Sequence, residues 1–451
     1  MLKSLIIGAL LMSSTASSAS NLVSTGKPSS VIVLGADASP AEKTAAAELQ
    51  SFIKQISKVE IPIAPTAESS ATRGRIFIGQ TSITKALIPD FNWDSLKHDG
   101  ILIKRINSDL ILAGDRPRGT LYAVYEYLES LGVKFIAPDE TIIPKHSTVP
   151  LPKADKLYVP KLRYREITYT TVKWQNPIYC ARLKLSGYYH RIPEEYGGNR
   201  SIIGYVHTFE QFLPHEKYFK IHPEWYSERD GKRVGSDIVS QLCLTNPEMK
   251  QELIKVVLDE IKHEPSAGMI SVSQNDGGKP CDCASCRAEV ARLGNQSDLL
   301  LQFVNDVAAA VEIQYPSFLV ETLAYEYTRT PPKSVKPAHN VLIRLCTTGD
   351  CSKPLNSPAN KAFMDDLAAW SAISDNLFVW DYVAGFANLH LPFPNIHVLA
   401  PNINTFIEYK SVGVHENGDF FNTSASMQPL KIYIMAKLLW DPSQNTDKLT
   451  R

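Results

Sequence analysis

Net charge is the first thing this sequence lacks. Its 451 residues carry 47 Lys and Arg against 47 Asp and Glu, so no global field draws it to nucleic acid or to an anionic membrane. Also missing is any run of about 20 apolar residues, the length that a bilayer crossing needs. Cysteine is scarce and odd in number. Cys180, Cys243, Cys281, Cys283, Cys286, Cys346 and Cys351 are too few for a disulfide scaffold in a chain of this length. One or two pairs would suit an oxidising compartment, with Cys346 and Cys351 as candidates across a short loop. Internal repeats and low-complexity tracts are lacking too. What remains, 44% hydrophobic and 21% charged residues, is the composition of an ordinary soluble globular protein with two or three domains.

The chain opens on an export signal. Lys3 is its basic start, Leu5–Met12 its short apolar core, and Ser17-Ser18-Ala19 a small-residue cleavage site. Met1–Ala19 is therefore set apart from the fold. With no cysteine following it to carry a lipid, the expectation is an exported protein of the periplasm or the extracellular space.

Two rhythms follow. Residues 22–150 read as a small α/β domain. The β-branched strand Ser30–Gly35 runs into Ser39-Pro40-Ala41-Glu42, a capping box with proline in the first turn. Ala45, Leu49, Phe52, Ile53 and Ile56 then recur at helical spacing. Gly100–Ile106 and Leu110–Gly114 form a hairpin around Asn107-Ser108-Asp109, and a helix on Leu121, Val124, Tyr125 and Leu128 stops near Gly132. Pro144, Pro150, Pro152 and Pro160 punctuate a linker. Over residues 160–451 strands alternate with helices, at Leu162–Tyr169, Ile202–Val206, Ile238–Leu244, Met269–Ser273, Phe318–Tyr325, Val341–Cys346, Leu377–Tyr382 and Val412–Glu416. Eight strands in alternation with helices predict a (β/α)8 TIM-like barrel.

Such a barrel displays its chemistry where strands end. There the sequence places Asp276, just before a Gly-Gly turn, with Glu326, Asp381 and Glu416, interleaved with Trp380, Tyr382 and Phe393. Glycosidic cleavage needs one carboxylic acid to protonate the leaving oxygen. It also needs a second carboxylate, or the substrate's own acetamide, to meet charge at the sugar carbon. Aromatic faces suit the apolar faces of sugar rings. Asp276, Glu416 and Glu326 are thus the candidate catalytic residues. Asn275, His207, Arg344, Trp380, Asp381, Tyr382, Phe393 and Asn417 are the candidate substrate contacts. Each has a plainer reading: a turn cap for Asp276, a solvated loop acid for Glu416, a satisfied buried imidazole for His207. Trp380 and Tyr382 share one face of their strand while Asp381 takes the other.

Cys281, Cys283 and Cys286 crowd three thiols into six positions. They can supply three ligands of a structural zinc with a fourth from elsewhere, or pin a loop by a disulfide with a partner such as Cys243. Without a second knuckle, no cofactor and no catalytic metal is expected.

The motifs SVSQNDGGKPCDCASC, HTFEQFLP, HPEWY, QLCLTNPE, ETLAYEYTRTPP and FVWDYVAGFANLHLPFPN together resemble the DUF4838 family of exported bacterial proteins. Family 163 of the glycoside hydrolases, endo-β-N-acetylglucosaminidases acting on N-glycans, was recognised within it. DRPRGTLYAVYEYLESLGVKFIAPDE looks like the small α/β domain that precedes the barrel in α-glucuronidases and hexosaminidases. The resemblance spans about residues 22–445. It implies a retaining hydrolase on a (β/α)8 barrel, acting on N-acetylglucosamine-containing glycans, with oligosaccharide or glycoprotein as its partner. Related hexosaminidases carry an acid pair at the end of the fourth strand. Here that position reads Asn275-Asp276, which leaves Glu326 and Glu416 as alternative acids. Relatives continue beyond Trp440-Asp441-Pro442, so the resemblance implies a further C-terminal segment. An exo-acting α-glucuronidase-like enzyme, with Arg344 facing a uronate, and a glycan-binding barrel without turnover are the competing expectations.

Overall fold

The computed structural model describes residues 21–65, 74–236 and 240–450. The expected export signal, Met1–Ala19, lies outside the described residues. The chain divides into two compact units, one within Met1–Val133 and Ile143–Tyr158, the other comprising Lys134–Ile142 and Val159–Arg451.

The first unit is a six-stranded sheet with helices packed on it. Its elements are β1 (Ser30–Leu34), α1 (Pro40–Ser57), β2 (Ile63–Ala64), β3 (Gly74–Ile78), β4 (Ile101–Ile106), β5 (Asp109–Gly114), α2 (Gly119–Ser130) and β6 (Lys156–Tyr158), in the sheet order β6-β4-β5-β3-β1-β2. The capping box forms as its spacing predicts. Ser39 Oγ accepts from the Glu42 amide at 3.3 Å, and Glu42 Oε2 accepts from the Ser39 amide at 2.7 Å. β4 and β5 make the expected antiparallel hairpin, whose turn places Asn107 at φ +54°, a conformation that Asn tolerates well.

The second unit carries one curled parallel sheet. Its strands are β7 (Tyr164–Ile167), β8 (Met269–Ser271), β9 (Leu319–Ala324), β10 (Val341–Cys346), β11 (Leu377–Tyr382) and β12 (Ser411–Asn417), in the order β7-β12-β11-β10-β9-β8. The helices α3 (Pro247–His263), α4 (Ala284–Leu293), α5 (Gln296–Gln314), α6 (Lys361–Ile373), α7 (Ile396–Glu408) and α8 (Gln428–Trp440) lie between or after them. Asn246 caps α3 through its Oδ1, with Pro247 in the first turn, where a missing N–H costs nothing.

Six strands, not the expected eight, form this ladder among the described residues. The predicted strand Ile202–Val206 contributes a single bridge, Ile203 to Ile270. Gly204, Tyr205 and His207 take φ values of +78°, +65° and +56°, so the extended run breaks before a ladder can form. The predicted strand Ile238–Leu244 begins outside the described residues, and Leu242 only bridges Tyr226. The result is a half-barrel whose open side is bridged by irregular chain.

Candidate functional site

Register decides which side chains meet. In a parallel ladder, paired residues point to the same side of the sheet. Trp380 pairs with Cys346 and with His415, and Tyr382 pairs with Asn417. These five side chains face the concave side, where they line a cleft of about 430 Å³ with Thr168, Lys173, Tyr189, His207, Asp276, Tyr325, Phe386, Phe420 and Phe421.

Asp276 stands at this cleft, exposed, with its Oδ1 accepting from the Tyr325 hydroxyl at 3.2 Å. The residues before it are fixed from three directions. Gln274 Nε2 donates to the Tyr325 carbonyl at 3.0 Å. Gln241 brackets the turn, accepting from the Asn275 amide and donating to the Asn275 carbonyl at 2.8 Å and the Gly277 carbonyl at 3.3 Å. Asn275 Oδ1 accepts from the Glu210 amide at 2.9 Å. Asn275 is therefore a buried brace, and the structure does not bring it to the cleft as the sequence predicted.

Glu326 is exposed and sits next to Tyr325 at φ +51°, a strained backbone for a non-glycine residue and the kind that clusters at functional sites. It stands beside the cleft and not among the residues that line it, though its charge, like that of Asp276, reaches Tyr382. Burial raises the Tyr382 hydroxyl pKa most, and the charges of Asp276 and Glu326 both push it the same way.

His207 lines the cleft and lies 6.0 Å from Tyr325 between ring centres. Its Nδ1 is 2.8 Å from the Gln274 carbonyl. A carbonyl only accepts, so Nδ1 carries a proton, and in the neutral tautomer Nε2 is the acceptor. Asn417 Oδ1 accepts from Thr168 Oγ1 at 2.7 Å. The same Thr168 oxygen lies 2.7 Å from His415 Nε2, and His415 Nδ1 lies 3.1 Å from the Tyr205 hydroxyl. Tyr205 in turn meets Glu166 Oε2 at 2.9 Å. A continuous hydrogen-bonded chain thus runs from buried Glu166 to the cleft wall. Burial, with Arg344 nearby, holds the His415 pKa well below the usual histidine value, so the ring is neutral.

Four predicted site residues lie elsewhere. Glu416 pairs with Asp381, and both carboxyls take the face away from Trp380 and His415. Glu416 is fully buried and neither carboxyl oxygen has a hydrogen-bond partner. Burial first, then the Asp381 charge, raises its pKa well above the ordinary carboxylate value. Asp381 accepts from Thr347 Oγ1 at 2.9 Å, and burial pushes its pKa up to about 7. Neither reaches the cleft, because one residue of parity on a strand exchanges its two faces. Arg344 faces inward but is fully buried. It is ion-paired with Glu321 at 2.9 Å and sandwiched 4.5 Å from the rings of both Tyr205 and Phe378. Phe393 packs against Gly385 outside the cleft lining.

Sequence reasoning passed over Lys173, Tyr189 and the Phe420-Phe421 pair. Lys173 sits 4.2 Å from the Phe420 ring centre and 5.1 Å from that of Tyr189, and burial lowers its pKa. It brings a cation to a wall otherwise rich in rings. No periodic pattern marks it, but a search for aromatics beyond each strand end would have found Phe420 and Phe421.

The family model described as "Domain of unknown function (DUF4838)" matches residues 135–451, and the one described as "Glycosyl hydrolase family 67 N-terminus" matches residues 16–127. No curated protein matches the sequence. Many solved structures resemble the fold, three of them as follows. A family GH115 4-O-methyl-α-glucuronidase with specificity for decorated arabinogalactans has 13% identity and a TM-score of 0.58, over 94% of this chain and 57% of that one. A β-N-acetylhexosaminidase from Bacteroides fragilis has 12% identity and a TM-score of 0.50, over 93% and 89%. CpGH84D has 10% identity and a TM-score of 0.52, over 93% and 67%. The chain spans little more than half the length of the glucuronidase, and at these identities the likeness is one of fold.

Proposed function

We propose that this chain, which belongs to the DUF4838 family, is a glycoside hydrolase whose cleft holds a sugar ring between Asp276 and the Trp380–Tyr382 wall. The observation that carries this reading is Asp276 itself. It is an exposed carboxyl, held by the Tyr325 hydroxyl at 3.2 Å, in a cleft lined by aromatic rings. A cleft of about 430 Å³ is within the size range of small-ligand sites, and its mixture of ring faces with a few convergent polar groups suits a pyranose.

Asp276 and Glu326 are the two carboxyls proposed to act on the glycosidic bond, with Glu416 set aside by its burial. One protonates the leaving oxygen. The other, or the substrate's acetamide, meets the positive charge at the sugar carbon. His207 Nε2 and Asn417 offer an acceptor and an amide to sugar hydroxyls or to that acetamide. The finer reading is a retaining, endo-acting hydrolase of N-acetylglucosamine-containing glycans such as N-glycans, exported by Met1–Ala19. Its support is the resemblance of the motifs around Asp276 and Trp380. No helix among the described residues is long and apolar enough to cross a membrane.

A second reading has one specific observation in its favour. Lys173 presents a cation to the cleft, which would suit the carboxylate of a uronic acid. Buried Arg344 does not serve that role. The deciding experiment incubates the protein with N-glycoproteins, N-acetylglucosaminides and uronoxylans, with products identified by mass. Release of an N-acetylglucosamine-terminated fragment, lost in Asp276→Asn, is the expected result. Uronic acid release selects the second reading. Glycan binding without any product overturns hydrolysis altogether.

A further inference from the structure

The sequence places three thiols within six positions, running from a loop into the first turn of α4, and the fold brings a fourth to them. Cys243, which lies in the segment before α3, meets Cys281, Cys283 and Cys286, and all four are buried. Their sulfurs all lie within 4.8 Å of one another. Cys243 Sγ is 3.7 Å from Cys283 Sγ and 3.8 Å from Cys286 Sγ.

These distances separate the two chemistries open to clustered thiols. A disulfide needs sulfurs about 2.05 Å apart. A tetrahedral zinc with Zn–S bonds of about 2.3 Å sets its sulfurs about 3.8 Å apart. The cluster has the spacing of a coordination shell, not of a bond.

The surroundings agree. The Glu228 amide donates to Cys281 Sγ at 3.2 Å, the Arg233 guanidinium approaches the same sulfur at 3.9 Å, and Thr245 Oγ1 lies 3.2 Å from Cys286 Sγ. Donors and a cation around the sulfurs offset the excess negative charge of four thiolates on a divalent ion, as outer partners do in metal sites. The cluster sits between a hairpin of two-residue strands at Glu228–Arg229 and Lys232–Arg233, with the Asp282 amide donating to the Glu228 carbonyl, and the first turn of α4, which carries Cys286. The cysteines themselves, with Leu293 and Leu299, make the local core. A local core in which four of the six buried side chains are thiols is one that a metal can hold together.

We propose that Cys243, Cys281, Cys283 and Cys286 bind one structural zinc ion as four thiolates, releasing four protons as it binds. With all four positions taken by protein there is no room for water or substrate, so the ion is not catalytic. Its role is mechanical. Gln241, two residues before Cys243, holds both sides of Asp276 through Asn275 and Gly277, and the zinc closes the loop on which that hold depends.

Metal analysis of the purified chain tests this, followed by mercurial titration of the thiols with a chromogenic chelator present. The expected result is one zinc per chain, released as four thiols react, with a lower melting temperature after chelation that zinc restores. Two disulfides by mass, four free thiols that take up no zinc, or stoichiometric iron in its place would overturn the proposal. Because Cys243→Ser can simply fail to fold, the chelation and zinc-restoration measurement is made on the unmodified chain. Asp276→Asn retains its zinc, so a failure here is separable from a failure of the hydrolase reading.

Discussion

Asp381 and Glu416 are register partners on adjacent parallel strands, so their carboxyls share one face of the sheet, and that face is not the cleft. Tyr169 feels the Glu416 charge and Cys351 feels the Asp381 charge. Two acids that a strand-end reading assigns to the site are instead a buried pair whose proton affinity is raised.

That pair makes stability depend on pH. The folded state holds the Asp381 proton up to about pH 7, whereas the unfolded chain releases it near pH 4. Between those values the native state binds more protons, so stability falls as pH rises through the window and then levels off. The loss attributable to Asp381 is at most about 4 kcal/mol. Asp381→Asn should flatten the profile in chemical denaturation measured from about pH 4 to pH 8. An unchanged slope in the variant would refute the assignment.

Asp276→Asn and Glu326→Gln should each lower kcat/KM by about 10²–10⁴-fold on a responsive glycan, with melting temperatures close to that of the parent because both side chains are exposed. Glu416→Gln should act in the other direction, leaving chemistry intact while changing stability. Loss of activity in a well-folded Glu416→Gln protein would return Glu416 to the mechanism.

Arg344 is enclosed by Glu321 and by the rings of Tyr205 and Phe378, with Glu166 within electrostatic reach. Truncation to Ala leaves buried carboxylates uncompensated and should cost about 3–5 kcal/mol in denaturant unfolding. Removing both charges with Arg344→Met and Glu321→Leu should recover part of that loss. A single variant as stable as the parent would mean the pair contributes nothing.

Lys173 separates the two substrate readings. Lys173→Met should raise KM about tenfold for a uronide if a uronate sits there. It should leave KM for an N-acetylglucosaminide unchanged if the main reading holds. Steady-state kinetics on both substrates decides between them.

What could be read in advance followed from local rules. The Ser39–Glu42 cap, the Asn107 turn and the opposite facing of Trp380 and Asp381 need only a few neighbouring residues to specify them. Glu416 failed for a different reason. Its facing depends on which residue of β11 it pairs with, and that register is set by packing across the sheet. The shortfall from eight strands to six came from Gly204, Tyr205 and His207, where a β-rich run hides left-handed turns. Lys173 and Tyr189 reach the cleft on irregular chain and carry no period to detect. Cys243 could be named as a partner of the three-cysteine cluster, but it lies too far along the chain for a short motif to fix it as the fourth member.

The gap between β7 and β8, where Ile203 bridges to Ile270 of β8 and no described residue bridges to the free edge of β7, divides the cleft into two kinds of wall. Trp380, Tyr382, His415 and Asn417 stand on strands that no insertion can enter without shifting every neighbour. Lys173, Tyr189 and His207 stand on chain that belongs to no ladder and is held by individual hydrogen bonds such as that of the Tyr189 amide to Glu166. On the proposed reading, selectivity for one sugar over another can be set from that side while the strand-borne wall opposite stays as it is.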